Sequence, residues 1–246
     1  MNEEKLNTPP TSQGESATQD SPEERTALML GESAVERLKQ SKVIIFGIGG
    51  VGGHALEAIV RAGVGTVAVV DGDRVSRSNL NRQLLATVKT VGMVKTEAAR
   101  ERVAEIAPDC RLITHELFVT PENVSTLNLA EYDYVIDAID TVTSKIAIIK
   151  EAKKYGVPVI SSMGTGNKLD PTRFRVSDVE KTNTDPLARA VRALLKKEGI
   201  KKVKVLWSDE PPISVGKRTP GSVSFVPSAA GIIIASSVIR DLIGKE

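Results

Sequence analysis

The sequence predicts an α/β fold with a doubly wound, mostly parallel sheet that is modified in its C-terminal half. Short runs of β-branched and aliphatic residues, beginning with KVIIF, alternate with segments of helical periodicity. Because these runs lack polar alternation, they are typical of parallel strands that helices cover on both faces. The first run is followed by a glycine-rich turn and a helix, which is the usual start of such a fold.

The alternation continues along most of the chain. The predicted strands cover residues 43–48, 66–70, 111–115, 132–140, 157–162, 172–178 and 202–208, and a last strand precedes the final helix. The predicted helices cover residues 32–40, 51–61, 94–107, 144–155 and 185–199, and a last helix starts near Pro227. We expect residues 25–246 to form one domain, with a basic insertion at about 165–221.

The N-terminal segment differs from the rest in composition. Residues 1–24 carry six acids and one base, although the whole chain of 246 residues has a net charge of +2. The segment is rich in Pro, Ser, Thr and Gln and lacks apolar periodicity, so it buries too little surface to offset its chain entropy. We predict that residues 1–24 form a disordered acidic tail on a basic folded body.

Composition excludes several classes of protein. Cys110 is the one cysteine, so an internal disulfide or a four-cysteine zinc site is impossible. Aromatic residues make up 3% of the chain, which argues against an RNA-binding surface of stacked rings. We expect no apolar run long enough to cross a membrane, and the N-terminus lacks the pattern of a secretory signal. We therefore expect a cytoplasmic protein without membrane insertion.

The glycine-rich turn matches the G-x-G-x-x-G pattern of nucleotide-binding, Rossmann-like folds. Its glycines let a phosphate approach the backbone, and the following helix offers free N–H groups to that phosphate. Asp71 closes the second predicted strand, 19 residues after the turn, where an acid accepts hydrogen bonds from ribose hydroxyls. The predicted nucleotide-binding glycines are Gly47, Gly49, Gly50 and Gly52.

Basic and amide side chains after Asp71 indicate a triphosphate more than a nicotinamide cofactor. Attack of a carboxylate on an α-phosphate builds negative charge that a guanidinium and an ammonium stabilise, and amides orient the phosphates. Hydride transfer requires no such group. The predicted residues of this cluster are Asp73, Asn79, Arg82, Gln83 and Lys95.

Asp140 ends another predicted strand and would lie at the same edge of the sheet. A carboxylate there suits Mg²⁺ bound to pyrophosphate oxygens. Each of these residues also has a structural alternative. Arg82 and Lys95 are alternatively surface charges, Asp140 a helix cap and Asp73 a turn residue.

Four motifs together resemble the adenylation domain of ubiquitin-activating-type enzymes, the ThiF family, which includes the adenylyltransferases of sulfur-carrier proteins. These motifs are VIIFGIGGVGG, VDGDRVSRSNLNRQ, VGMVK and VIDAID. The resemblance implies ATP, Mg²⁺, a homodimer and an acyl-adenylate. The resemblance is also compatible with a monovalent cation near the site and with a sulfur-relay protein as a partner.

The resemblance also implies roles for individual residues. It assigns ATP to Gly49 and Asp71, the phosphates to Arg82, Gln83 and Lys95, and the metal or pyrophosphate to Asp140. Arg25 falls where such enzymes place an arginine that reaches into the partner subunit's site.

Two features distinguish subgroups of this family. The chain lacks the C-x-x-C pairs of the zinc-binding sulfur-carrier adenylyltransferases, and Cys110 is poorly placed for a protein thioester. The segment DVEKTNTDPLARAVRALLKKEGI resembles bacterial tRNA threonylcarbamoyladenosine dehydratases. That resemblance implies ATP-dependent adenylation of the modification's carboxylate, followed by ring closure and net loss of water.

Three other functions remain open at this point. Activation of a ubiquitin-like or sulfur-carrier protein is the first alternative, and it would require a partner that ends in Gly-Gly. The others are a nucleotide-binding scaffold without catalysis and a nicotinamide-dependent dehydrogenase, which the G-x-G-x-x-G pattern also fits.

The predicted helix at 185–199 has an apolar stripe and a basic face. A phosphate backbone is a natural partner for such a face, so tRNA is the predicted partner there. A solvated helix face is the alternative. The predicted nucleic-acid contacts are Arg189, Arg192, Lys196 and Lys197.

Overall fold

The structure is a computed structural model that describes residues 21–216 and 219–244. The predicted disordered tail lies outside the described residues except for residues 21–24. Within that remainder, Glu24 begins the first helix.

A seven-stranded sheet forms the centre of the described chain, in the strand order β3-β2-β1-β4-β5-β7-β6. Every neighbouring pair is parallel except β6 and β7, which are antiparallel. The strands are β1 (Lys42–Phe46), β2 (Thr66–Val70), β3 (Arg111–His115), β4 (Tyr134–Asp137), β5 (Val159–Ser162), β6 (Phe174–Asp178) and β7 (Lys204–Ser208). This arrangement confirms the predicted fold class, including the modified C-terminal half.

Helices cover both faces of the sheet. They are α1 (Glu24–Leu30), α2 (Glu32–Gln40), α3 (Gly52–Arg61), α4 (Lys95–Ile106), α5 (Val142–Lys154), α6 (Pro186–Lys197) and α7 (Phe225–Leu242). One apolar core joins α2, α3, α4 and α7 to one face, and a second joins α5 and α6 to the other. Val, Ile, Leu and Ala fill both cores, as the scarcity of aromatic residues predicts.

Several predicted strand boundaries are wrong, and one predicted strand does not form among the described residues; three of these differences have local reasons. The first strand ends at Phe46 because Gly47 adopts a positive φ of 78°. The fourth ends at Asp137 because the Ile139 N–H turns back to the Asp137 side chain. No strand precedes α7 among the described residues 219–224, where the Ser222 carbonyl accepts a hydrogen bond from Asn81 instead.

The strand order places a crevice at the carboxyl edge of the sheet. The chain runs from β1 outward through β2 to β3, and then returns to add β4 on the other side of β1. Loops that leave β1 and β4 therefore diverge to opposite faces, and ligands of open α/β sheets bind in the gap between them.

Helix α7 corrects the expectation that no apolar run is long enough to cross a membrane. It has 18 residues and a mean hydropathy of 1.4, which suffices by length and composition. In the structure it packs on α3, with Val226, Ala230, Ile234 and Val238 buried. An added Cβ at Gly231 would lie 2.3 Å from the Val51 carbonyl oxygen. Helix α7 therefore has the contacts of a core helix.

Gly231→Ala tests this close packing. We expect the free energy of unfolding to fall by about 1–3 kcal/mol, because the new methyl group must push α7 away from the start of α3. Urea unfolding measures the change. Ser236→Ala is the control, since Ser236 lies on the exposed face of the same helix. Equal stability of the two variants would show that the two helices are not held this closely.

Candidate active site

A cleft of about 1030 Å³ opens at the carboxyl edge of the sheet, where the strand order predicts it. Four stretches of chain form most of its wall, and Lys95 and single residues of the C-terminal half complete it. These stretches are 47–51, 70–83, 117–122 and 138–144, and the residues of the C-terminal half are Thr165, Ser222 and Pro227. The C-terminal contributions could not be read from local sequence patterns.

The glycine loop, residues 47–52, forms the floor of the cleft, and its glycines are required by close contacts. Gly47 has a positive φ, and a Cβ on Gly52 would lie 1.8 Å from the Gly47 carbonyl oxygen. Helix α3 starts at Gly52 with its first N–H groups at this loop. Such a helix start binds anionic groups such as phosphates.

Asp71 follows β2 directly and ties two loops together. Its Oδ2 accepts a hydrogen bond from the Ile48 N–H at 2.9 Å, and its Oδ1 accepts one from the Asp73 N–H at 2.9 Å. The carboxylate is 8% exposed and lines the cleft. Oδ2 also accepts from Lys95 Nζ at 3.4 Å, whereas Oδ1 keeps a second lone pair, so the predicted ribose contact remains compatible with these bonds.

Lys95 is a buried cation rather than a surface charge. It is 5% exposed, and its Nζ lies 2.8 Å from Asp73 Oδ2 and 3.4 Å from Asp71 Oδ2. Asp73 is therefore a charge partner of Lys95 as well as a turn residue. An ammonium has three donors, so one remains for a ligand in the cleft.

Arg82 and Gln83 face the glycine loop from the opposite wall. The Arg82 Cγ and the Gln83 Nε2 are each 3.6 Å from the positions that a Cβ on Gly50 and Gly49 would occupy. Arg82 Nη1 donates to the Ser78 carbonyl and to Asn81 Oδ1. The rest of the guanidinium is left for a ligand.

Asn79 shapes the segment that carries Arg82. Its Oδ1 accepts a hydrogen bond from the Ser76 N–H at 3.0 Å, as in a capping box. It also lines the cleft, so its predicted contact with the nucleotide stays a prediction.

Asp140 is an exposed carboxylate in the cleft, three residues after β4. Among the described residues its hydrogen-bond partner is the Thr141 hydroxyl at 3.5 Å, so it is not held as a helix cap. The described residues hold no group of three or more His, Cys, Asp or Glu side chains that suits a metal. Any metal here needs further oxygens from a ligand, which is how Mg²⁺ binds to nucleotides.

An exposed aromatic ring on the outer wall was missed by the sequence analysis. Phe118 is 65% exposed, and a Cβ on Gly72 would lie 2.6 Å from its ring. The Phe118 carbonyl accepts a hydrogen bond from Asn123 Nδ2, and the Val119 carbonyl accepts one from the Ser144 hydroxyl at 2.6 Å. The ring therefore lies in the cleft near Asp71. The sequence around Phe118 contains no motif that predicts this position.

Two hydrogen bonds between Asn167 and Gly221, here called the Asn167 latch, join the wall of the cleft to the C-terminal loop. The Asn167 N–H donates to the Gly221 carbonyl, and the Gly221 N–H donates to Asn167 Oδ1. Below it, the buried Lys168 donates to the Glu210 carbonyl at 2.8 Å. Burial raises the pKa of the neighbouring Asp185 and lowers that of Lys168. These contacts give Lys168 a structural role.

Arg25 does not reach this cleft. The residue lies on α1, is exposed, and is absent from the cleft wall. The adjacent Glu23 packs beside Gly63, which precedes β2 at the amino edge of the sheet. Within one subunit, Arg25 is therefore at the wrong edge, so a role in the site requires a second subunit.

The basic face of α6 is also remote from the cleft. Helix α6 leads into β7, which is parallel to β5, so its C-terminal Lys196 and Lys197 lie toward the amino edge. Arg192 is half-buried and donates from Nη1 to the Thr182 carbonyl at 2.7 Å. Arg189, Lys196 and Lys197 are exposed, whereas Arg192 is partly used by the fold.

Cys110 has the properties of a structural cysteine. Burial raises the pKa of its thiol to about 11, so little thiolate forms near neutral pH. The residue precedes β3 at the amino edge and does not line the cleft. A protein thioester has no nucleophile in this site.

The charges of the cleft do not by themselves attract a triphosphate. Three cations and four carboxylates line it, namely Arg74, Arg82, Lys95, Asp71, Asp73, Glu122 and Asp140. The ammonium of Lys95 is already shared by two of these carboxylates. Binding of a highly charged anion here therefore calls for added positive charge.

Known proteins resemble the chain over most of its length. A model of the ThiF family matches residues 23–246. The tRNA threonylcarbamoyladenosine dehydratase of Bacillus subtilis (strain 168) is 44% identical over 237 residues, or 89% of this chain and 93% of that protein. The Escherichia coli (strain K12) protein of the same name is 40% identical over 70% of this chain and 65% of that protein.

A solved structure agrees with these similarities. The crystal structure of E. coli tRNA N6-threonylcarbamoyladenosine dehydratase, TcdA, in complex with ATP matches with a TM-score of 0.85 and 35% sequence identity. The match covers 89% of this chain and 93% of that chain.

Proposed function

Since the chain belongs to the ThiF family, we propose that it is an ATP-dependent tRNA threonylcarbamoyladenosine dehydratase. One observation carries the proposal. The cleft gathers a glycine loop, a ribose-binding type of carboxylate and phosphate-binding cations, and its wall contains no cysteine. Such a site suits formation of an acyl-adenylate that reacts without passing to a protein thiol.

The reaction follows from the chemistry of the substrate. The carboxylate of threonylcarbamoyladenosine attacks the α-phosphorus of ATP, and the bond to pyrophosphate breaks. An internal nucleophile of the same modification then attacks the activated carbonyl carbon, and AMP leaves. The carboxylate loses one oxygen and the nucleophile loses a proton, so the modified tRNA loses one water.

Positioning and charge stabilisation are the contributions of the protein. The N–H groups of the glycine loop and the start of α3 would hold phosphate oxygens, and Asp71 would hold the ribose. Arg82 and Lys95 would balance the charge that grows on the phosphates during attack. Gln83 and Asn79 would orient the same groups.

Mg²⁺ fits the donor set of this cleft. Asp140 supplies one exposed carboxylate, and phosphate and water oxygens would complete the coordination that Mg²⁺ prefers. When bound, the ion would neutralise phosphate charge and polarise the phosphoryl group. Its positive charge would balance the excess of carboxylates over cations in the cleft wall.

A homodimer is part of the proposal. The position of Arg25 at the amino edge supports a role in a partner subunit's cleft, where one more cation would meet the phosphates. A monovalent cation and a sulfur-relay partner stay predictions from family resemblance. Action on tRNA makes the cytoplasm the expected location.

The decisive assay mixes the protein with ATP, Mg²⁺ and tRNA that bears threonylcarbamoyladenosine, and then weighs the digested nucleosides. We expect a product lighter by one water, with release of AMP and pyrophosphate. ATP-dependent activation of a carrier protein that ends in Gly-Gly, without a change in the tRNA, would support the alternative function.

Arg82→Ala tests the phosphate role in this assay. We expect turnover to fall by a factor of about 10² or more, because the variant loses a charge that stabilises the transition state. Arg77→Ala is the matched control, since Arg77 is exposed on the same segment and does not line the cleft. Full turnover of Arg82→Ala would contradict the assigned role.

Phe118→Ala tests whether the exposed ring packs on the adenine of ATP. Beside the ribose-binding acid, a rigid ring is placed to stack on a base, so we expect the KM for ATP to rise about tenfold. Phe118→Trp should keep the affinity and add a fluorescence signal that ATP quenches. Val88→Ala removes another exposed apolar side chain, outside the cleft, and should have no effect.

The triple variant Arg189→Glu, Lys196→Glu and Lys197→Glu tests the basic face. We expect weaker tRNA binding and a salt dependence with a shallower slope, because phosphate contacts release counterions. Filter binding over a salt series measures both. Lys89→Glu is the control, since Lys89 is an exposed lysine elsewhere on the surface. Unchanged tRNA binding of the triple variant would show that the basic face contacts only solvent.

A further inference from the structure

Beneath the cleft lies a buried polar cluster that the proposed chemistry does not use. Lys145 of α5, Asp137 at the end of β4 and Ser161 of β5 are each fully buried. The Lys145 Nζ lies 2.9 Å from Asp137 Oδ2 and 3.2 Å from the Ser161 Oγ. The Ser161 hydroxyl donates to the same carboxylate oxygen at 2.5 Å. Three neighbouring elements are thereby joined at one point.

The second oxygen of Asp137 points to the turn that carries Asp140. Asp137 Oδ1 accepts a hydrogen bond from the Ile139 N–H at 3.3 Å. The Ala138 N–H donates to the Phe46 carbonyl at 2.8 Å, which continues the ladder by one bond. The carboxylate therefore holds the first half of the turn with one oxygen and the cluster with the other.

This turn packs directly on the glycine loop. A Cβ on Gly47 would lie 2.8 Å from Ile139 Cγ2 and 3.0 Å from the Ala138 carbonyl oxygen. A shift of the turn by even a fraction of an ångström would meet the loop or open a gap beside it. The orientation of Asp137 thus sets where Asp140 stands relative to the loop.

The charges of the cluster are hard to explain by stability alone. A buried ion pair is often no more stabilising than apolar side chains of the same volume. An apolar residue in place of Asp137 would leave the Ile139 N–H without its acceptor, however. An unpaired carboxylate would place a further negative charge under a phosphate site, and Lys145 neutralises it.

We infer that Asp137, Lys145 and Ser161 form a positioning cluster that fixes the Asp140 turn against the glycine loop, an inference that rests on the proposed function of the cleft. None of the three touches the reacting atoms. The cluster acts through Ile139, and the quantity that it sets is the place of the Asp140 carboxylate.

Two charge-free double variants separate positioning from stability. Asp137→Asn with Lys145→Met keeps an oxygen acceptor for the Ile139 N–H, whereas Asp137→Leu with Lys145→Met does not. Both remove the buried pair together, which avoids the unpaired charge that would unfold a single variant. Glu57→Leu with Arg102→Met is the control, because that ion pair joins α3 to α4 away from the cleft.

Three measurements are made on each variant: urea unfolding, turnover in the tRNA assay, and amide hydrogen exchange of residues 138–140. We expect the Asp137→Leu variant to be at least as stable as the Asp137→Asn variant. Its turnover should nevertheless be about tenfold lower, since small misplacements in a site are costly. Its turn amides should exchange about tenfold faster. The control should match the unsubstituted protein in turnover and exchange.

Equal turnover and equal exchange in the two double variants would overturn the inference. If the unsubstituted protein fails to dehydrate the tRNA, the proposed function is wrong, and the exchange rates alone then decide whether the cluster holds the turn.

Discussion

The site depends on a convergence of backbone segments that leaves no room for side chains. The glycine loop touches itself between Gly47 and Gly52, meets the β4 turn at Ile139, and meets α7 near Gly231. Close approach lets N–H groups point at a ligand in place of side chains. The polar residues of the cleft lie around this loop. Their spacing therefore depends on how tightly the loop, the β4 turn and α7 pack together.

The site also depends on buried charges that are paired with each other. Lys95 shares its ammonium between Asp71 and Asp73, and Lys145 neutralises Asp137. Lone charges at these depths would be costly, but paired and hydrogen-bonded charges hold loops in fixed orientations. The result is a preorganised cleft in which part of the Arg82 guanidinium and most of the Asp140 carboxylate are left for a ligand. A triphosphate with its metal would supply the charge that this wall lacks.

The C-terminal half closes the cleft rather than forming a separate unit. Thr165 and Ser222 reach its wall, the Asn167 latch joins them, and α7 packs behind the glycine loop. The basic end of α6 faces the other edge of the sheet. A tRNA that reaches the cleft and contacts this end would have to extend along the height of the sheet.

The sequence by itself determined the fold class, most strands and helices, the glycine loop, and the set Asp71, Arg82, Lys95 and Asp140 that lines one cleft. Local patterns suffice for these, because periodicity follows burial and because short-range spacing follows the βα turn. Only the tertiary structure decided that Lys95 is buried between two acids, that the Phe118 ring lies against Gly72, that Asp137 pairs with Lys145, and that Arg25 lies away from the cleft. These are contacts between segments distant in sequence or between side chains whose direction no pattern fixes. The predicted end of β4 is wrong for the same reason, because the Asp137 side chain accepts a hydrogen bond from the Ile139 N–H and ends the strand where hydrophobicity alone would continue it.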